Sequence, residues 1–155
     1  MSEIKQESIG NLPVKRKSGH EGYEYAKRTF VSRRDAAQCV VAIYEIPPLK
    51  AGYPYHWHAH SEEVIYILSG SGTLKTPDGE RAVGAGELLY FPATPDGAHK
   101  LTNTSETEPL VYIDFDTANA VDATIYPDSG KLGVWGAGLN KVFRTDDEVD
   151  YYAGE

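Results

Sequence analysis

The chain of 155 residues carries 23 acidic against 15 basic side chains, a net charge of −8, and a single cysteine, Cys39. Residues 51–155 hold most of that acidity, so a nucleic-acid or anionic-membrane surface is disfavoured over the main body. An internal disulfide is excluded, and no apolar run approaches the ~20 residues that span a bilayer.

This length suits one domain, residues 1–155. The start, MSEIKQES, has no apolar stretch of the kind a signal peptide needs, so a cytoplasmic protein with no membrane or nucleic-acid partner is expected. Residues 1–22 read as an irregular arm, with Gly10, Pro13, Gly19 and Gly22 among scattered charges. The run Lys15-Arg16-Lys17 reads as a solvated loop and His20 as a solvent-facing side chain.

From Tyr23 onward the pattern is that of strands: YEYAKRTF, AQCVVAIYEI up to Pro47-Pro48, YPYHWHAH, EVIYILSG, GTLKT, ERAVG, ELLYFP, AHKLTN and PLVYIDF. Turn formers separate them, among them Gly70-Ser71-Gly72, Pro77-Asp78-Gly79 and Pro95-Asp96-Gly97. Short strands without a helical period indicate an all-β sandwich or barrel with a core over residues 35–118. Residues 119–155 read as a less patterned extension ending in a mobile acidic tail, TDDEVDYYAGE. Cys39, amid Val40, Val41 and Ile43, reads as a small core residue.

Three of the five histidines fall within His56-Trp57-His58-Ala59-His60. On an extended strand His56, His58 and His60 share a face, and Tyr55 and Trp57 point the other way. Glu63 heads the row Glu63, Ile65, Ile67, whose apolar members place it on a buried face. A carboxylate there is costly without compensation, and a divalent cation would supply it. Imidazole nitrogens with one carboxylate suit Zn, Fe, Ni, Mn, Co or Cu. His99 opens a later strand and completes the group.

At these residues the sequence resembles the cupin superfamily, in particular its small single-domain bacterial members. The first cupin motif is matched, apart from its opening glycine, by His56-Trp57-His58, Glu63 and Gly70, and the second, with a longer turn, by Gly86, Pro92, Gly97, His99 and Asn103. YPDSGK, Tyr126 to Lys131, resembles a segment that follows the barrel in some small bacterial cupins. The resemblance implies a jelly-roll β-barrel, the double-stranded β-helix. It also implies that His56, His58, Glu63 and His99 ligate a divalent transition metal, Zn, Fe, Ni or Mn, whose remaining positions stay open. Glu62 competes with Glu63 for the ligand position, and the spacing to Gly70 favours Glu63. His60 is left for the pocket rim, the surface or the place of His58. Candidates to touch substrate or support the ligands are His60, Glu62, Tyr53 and Tyr90.

The expected function is that of a metal-dependent enzyme acting on a small oxygenated metabolite, a sugar, sugar phosphate or keto acid, by isomerase, lyase or dioxygenase chemistry. The alternative is a non-catalytic small-molecule sensor; residues 1–36 show no helix-turn-helix pattern, so a DNA-binding regulator in this chain alone is not expected. A homodimer is expected, with the arm or YEYAKRTF pairing to the partner's sheet.

Overall fold

The computed structural model describes residues 4–33 and 38–155. Alternating and β-branched sequence produces antiparallel strands throughout: β1 (Val14–His20), β2 (Tyr23–Val31), β3 (Cys39–Ile46), β4 (Trp57–His58), β5 (Glu63–Ser69), β6 (Ser71–Thr76), β7 (Gly79–Gly84), β8 (Leu88–Phe91), β9 (Lys100–Thr102), β10 (Leu110–Thr117), β11 (Val121–Tyr126), β12 (Lys131–Gly136) and β13 (Leu139–Arg144). The only helical pieces among the described residues are three short 3-10 turns, at Ile9–Asn11, Pro95–Gly97 and Pro127–Ser129. None of them is long and apolar enough to cross a membrane.

The strands form three ladders, in the orders β1-β2-β3-β10-β5-β8, β13-β12-β11-β4 and β7-β6-β9. The expected barrel is therefore not closed by one continuous cylinder of hydrogen bonds. Its weakest stretch has a chemical cause. Between β3 and β5 only Trp57 and His58 pair as a strand, and Pro47, Pro48 and Pro54 in that segment lack the N–H a ladder requires. YPYHWHAH is thus mostly loop, tied down by an isolated two-residue bridge from His56 to His99.

Inward-facing residues of β3, β5 and β10 build the core. Ala42, Tyr44 and Ile46 meet Ile65 and Ile67 and Leu110 and Tyr112, joined by Leu74, Leu89, Phe91 and Leu101. Period-two burial on β8 puts Leu89 and Phe91 inside and Leu88 and Tyr90 outside, as the alternation in ELLYFP predicts.

Three expectations are corrected. Residues 14–20 are an edge strand on β2, not part of an irregular arm; all seven are exposed, so no apolar alternation marks them, and the ladder to β2 alone holds them. The segment after residue 118 supplies β11, β12 and β13, and β11 pairs with β4. The strand framework thus extends past residues 35–118 in both directions. Cys39 is exposed, because it starts β3 at the sheet's end, ahead of the buried stretch.

Candidate metal centre

His56 and His99 are joined backbone to backbone: His56 N–H donates to the His99 carbonyl at 3.0 Å and His99 N–H to the His56 carbonyl at 2.8 Å. Their ring centroids lie 4.6 Å apart, and the Phe91 ring stacks on His99 at 3.7 Å. Each ring is also fixed from behind. His56 Nδ1–H donates to the Pro54 carbonyl at 2.8 Å and His99 Nδ1–H to the Gly97 carbonyl at 2.9 Å. The turn that presents that carbonyl requires glycine at 97, because a Cβ there would collide with the Pro92 carbonyl oxygen.

His58 is fixed the same way by a side chain. Its Nδ1 lies 2.6 Å from Asp122 Oδ2, and Asp122 Oδ1 accepts the His60 and Ser61 N–H groups. Thr124 Oγ1 is 3.2 Å from the same Nδ1 and accepts the Trp135 indole N–H at 2.8 Å. A carbonyl or carboxylate oxygen only accepts, so the proton of each of the three imidazoles sits on Nδ1. In the neutral ring the Nε2 lone pair of each is left for another partner.

Glu63 occupies the point toward which those atoms converge. Its Oε2 is 3.2 Å from His99 Nε2 and 3.9 Å from His58 Nε2, and it is buried without a hydrogen bond among the described residues. One donor atom each from His56, His58 and Glu63 lie within 4.8 Å of one another. Burial, with His99 beside it, lowers the His56 imidazole to about 3, so it is neutral at physiological pH. Burial pushes the Glu63 carboxyl up, but the three histidines outweigh it and hold the group at about 2. For His58, burial acts downward and the Asp122 hydrogen bond and Glu63 charge prevail, raising it. Oriented Nε2 lone pairs around an ionised carboxylate whose buried oxygen lacks a partner form the donor set a divalent transition metal takes. The residues fit such an ion.

A cleft of about 900 Å³, including its mouth, opens onto His56, His58 and Glu63. Two more carboxylates face it. Asp116 sits directly across the β10–β5 ladder from Glu63, and Asp114 lies two residues earlier on the same inward face. Burial and the Glu63 charge raise Asp114 well above the usual carboxylate range and bring Asp116 to about 6. Asp114 Oδ1 is buried without a hydrogen bond among the described residues.

Of the other candidates, Tyr53 lines the cleft, and its hydroxyl is 2.9 Å from that of Tyr44. His60, Glu62 and Tyr90 do not face it. His60 is exposed, because the chain leaves the β4 ladder and turns around Asp122 before reaching it. Glu62 and Tyr90 lie on the outer face, where the Tyr90 hydroxyl donates to Glu62 Oε1 at 2.7 Å. Sequence reasoning missed Asp114, Asp116, Asp122 and Thr124. The signal for the first two was present in LVYIDFDT, where alternation from Leu110 and Tyr112 puts both aspartates inside.

Residues 42–116 match the family model described as the cupin domain. No curated protein sequence matches the chain. Among solved structures it is similar to a candidate sugar phosphate isomerase from Acidithiobacillus ferrooxidans, at 24% identity and TM-score 0.79 over 92% of this chain and 91% of that one. A sugar phosphate isomerase of the cupin superfamily from Silicibacter pomeroyi aligns at 16% identity and TM-score 0.82, covering 96% and 98%. A predicted oxalate decarboxylase from Thermotoga maritima aligns at 19% identity and TM-score 0.61, covering 72% and 97%. At these identities the likeness is one of fold.

Proposed function

Because the chain is a member of the cupin superfamily, we propose that it is a metal-dependent enzyme acting on a small oxygenated metabolite, with isomerase or lyase chemistry on a sugar, sugar phosphate or keto acid. The observation that carries this reading is the three-fold pinning of Nδ1, on His56, His58 and His99, which aims the ring system at the unpartnered oxygen of Glu63. His56, His58, Glu63 and His99 would hold the ion, Zn, Fe, Ni or Mn. Bound there, it would supply Lewis-acid polarisation of a substrate oxygen and acidify the neighbouring C–H.

The chain's own groups do the rest. Asp114 and Asp116 face the cleft beside Glu63, where a carboxyl can take up a proton from carbon and return it to a neighbouring atom. A sensor that only binds needs no such group, which favours the enzyme over the non-catalytic alternative. Tyr44 and Tyr53, hydrogen-bonded to each other, form a rigid wall. The fold it shares with a candidate and a further sugar phosphate isomerase is our reason to try sugar phosphates first as substrates. The three antiparallel ladders provide the frame, and the open edge at β1 is the surface through which we expect a homodimer to form.

Proton exchange tests the reaction class. Metal-loaded protein incubated in heavy water with aldose and ketose phosphates, their unphosphorylated counterparts and keto acids should place deuterium beside the carbonyl of one class. Asp116→Asn should slow that exchange by about 10²–10⁴-fold. Tight binding without exchange or turnover would favour the sensor.

A further inference from the structure

Lys27 is a charged side chain on an inward face. It lies directly across the β2–β3 ladder from the core residue Tyr44, and its own-face neighbour Tyr25 packs on Tyr44 and Tyr53. Its ammonium is 4.8 Å from the centroid of the Tyr44 ring and forms neither a hydrogen bond nor an ion pair with any described residue. Burial lowers its pKa, in part offset by Asp114 and Asp116. A half-buried ammonium whose close partner is an aromatic face is costly to keep unless an anion joins it. Arg33, two residues past the end of β2, contributes a second cation to the same cleft, with Nη1 donating to the Asn119 carbonyl at 3.1 Å. That bond leaves other guanidinium donors for a ligand.

We propose that Lys27 and Arg33 form an anion subsite at the wall of the cleft, and that it takes the dianionic phosphoryl group of a phosphorylated polyhydroxy substrate whose other end reaches His56, His58 and Glu63. The inference rests on the metal-enzyme reading above and specifies its substrate class. The cleft has a separate feature for each part of such a molecule. Lys27 and Arg33 supply two positive charges for a group carrying two negative ones, the guanidinium fork and the ammonium both matching phosphate oxygens. Asp114 and Asp116, which line the same cleft as Glu63, are acceptors for hydroxyl donors.

Binding of inorganic phosphate, followed by calorimetry at fixed ionic strength with acetate as the control anion, tests this. The proteins are the parent, Lys27→Met, Lys27→Arg and His56→Ala, each with its metal content measured in the same sample. The parent should bind phosphate more tightly than acetate, Lys27→Met should lose about tenfold or more, and Lys27→Arg should keep most of the affinity. His56→Ala, with its metal content reduced, should still bind phosphate. Equal binding by the parent and Lys27→Met, preference for acetate, or loss of binding with the metal alone would each overturn the subsite. Lys27-dependent phosphate binding in a parent that holds no metal would keep the subsite and remove the metal-enzyme reading instead.

Discussion

His58 Nδ1 and Asp122 Oδ2 lie 2.6 Å apart although 64 residues separate them in sequence, and the bond ties the HWH segment to a strand that sequence patterning left unassigned. Asp122 is fully buried and also caps the turn at His60 and Ser61. A carboxylate behind a ligating imidazole fixes its tautomer and raises its basicity. Asp122→Asn should therefore weaken metal binding by about 10- to 100-fold while the protein remains folded. Chelator competition against the parent measures it; unchanged affinity would remove Asp122 from the centre.

Gly133 makes room for the Trp135 ring. A Cβ at residue 133 would sit 2.6 Å from Cζ2 of that ring, whose N–H holds Thr124 beside His58. Gly133→Ala should displace the indole and cost about 1–3 kcal/mol, as overpacking does elsewhere. Denaturant unfolding gives the stability change, and a shift in tryptophan emission reports the ring.

His56 makes the metal-free protein sensitive to acid. Its folded value of about 3 lies below the ordinary 6.5, so between those pH values the unfolded chain binds the extra proton. The contribution to stability is complete above pH 6.5 and is lost as pH falls toward 3, with a slope of up to about 1.4 kcal/mol per pH unit. Unfolding midpoints taken over this range should fall more steeply for the parent than for His56→Gln. Parallel curves would show that His56 is not buried as a neutral ring.

The outward pair behaves differently. Tyr90→Phe removes the hydroxyl that reaches Glu62 on the exposed face and touches nothing in the cleft. Metal content and phosphate affinity should both match the parent, and a drop in either would mean that Tyr90 reaches the site.

The strand alternation and the two motifs were readable before any coordinates because each is a local pattern: period-two burial across β3, β5, β8 and β10, and histidine and glutamate at fixed spacing. What escaped was non-local. β1 is held by backbone pairing alone, so its seven exposed residues carry no apolar signature. Asp122 and Thr124 gain their roles only when β11 pairs with β4, a register that Thr124 opposite His58 defines. Strand parity extended through YPYHWHAH misplaced His60, because the chain bends around Asp122 where a regular strand would continue. Glu62, which motif spacing allows as a ligand, and Tyr90 are both turned outward by the same alternation that buries Glu63 and Phe91.

Elemental analysis of protein purified without chelator, run beside His56→Ala and Glu63→Ala, bears most directly on the centre. The parent should hold about one equivalent of a divalent transition metal, and each variant should lose most of it while keeping the β-rich circular dichroism of the parent, since a domain of this size buries its core without needing the ion. Variants that retain metal at the parent's level would contradict the assignment of His56 and Glu63 as ligands.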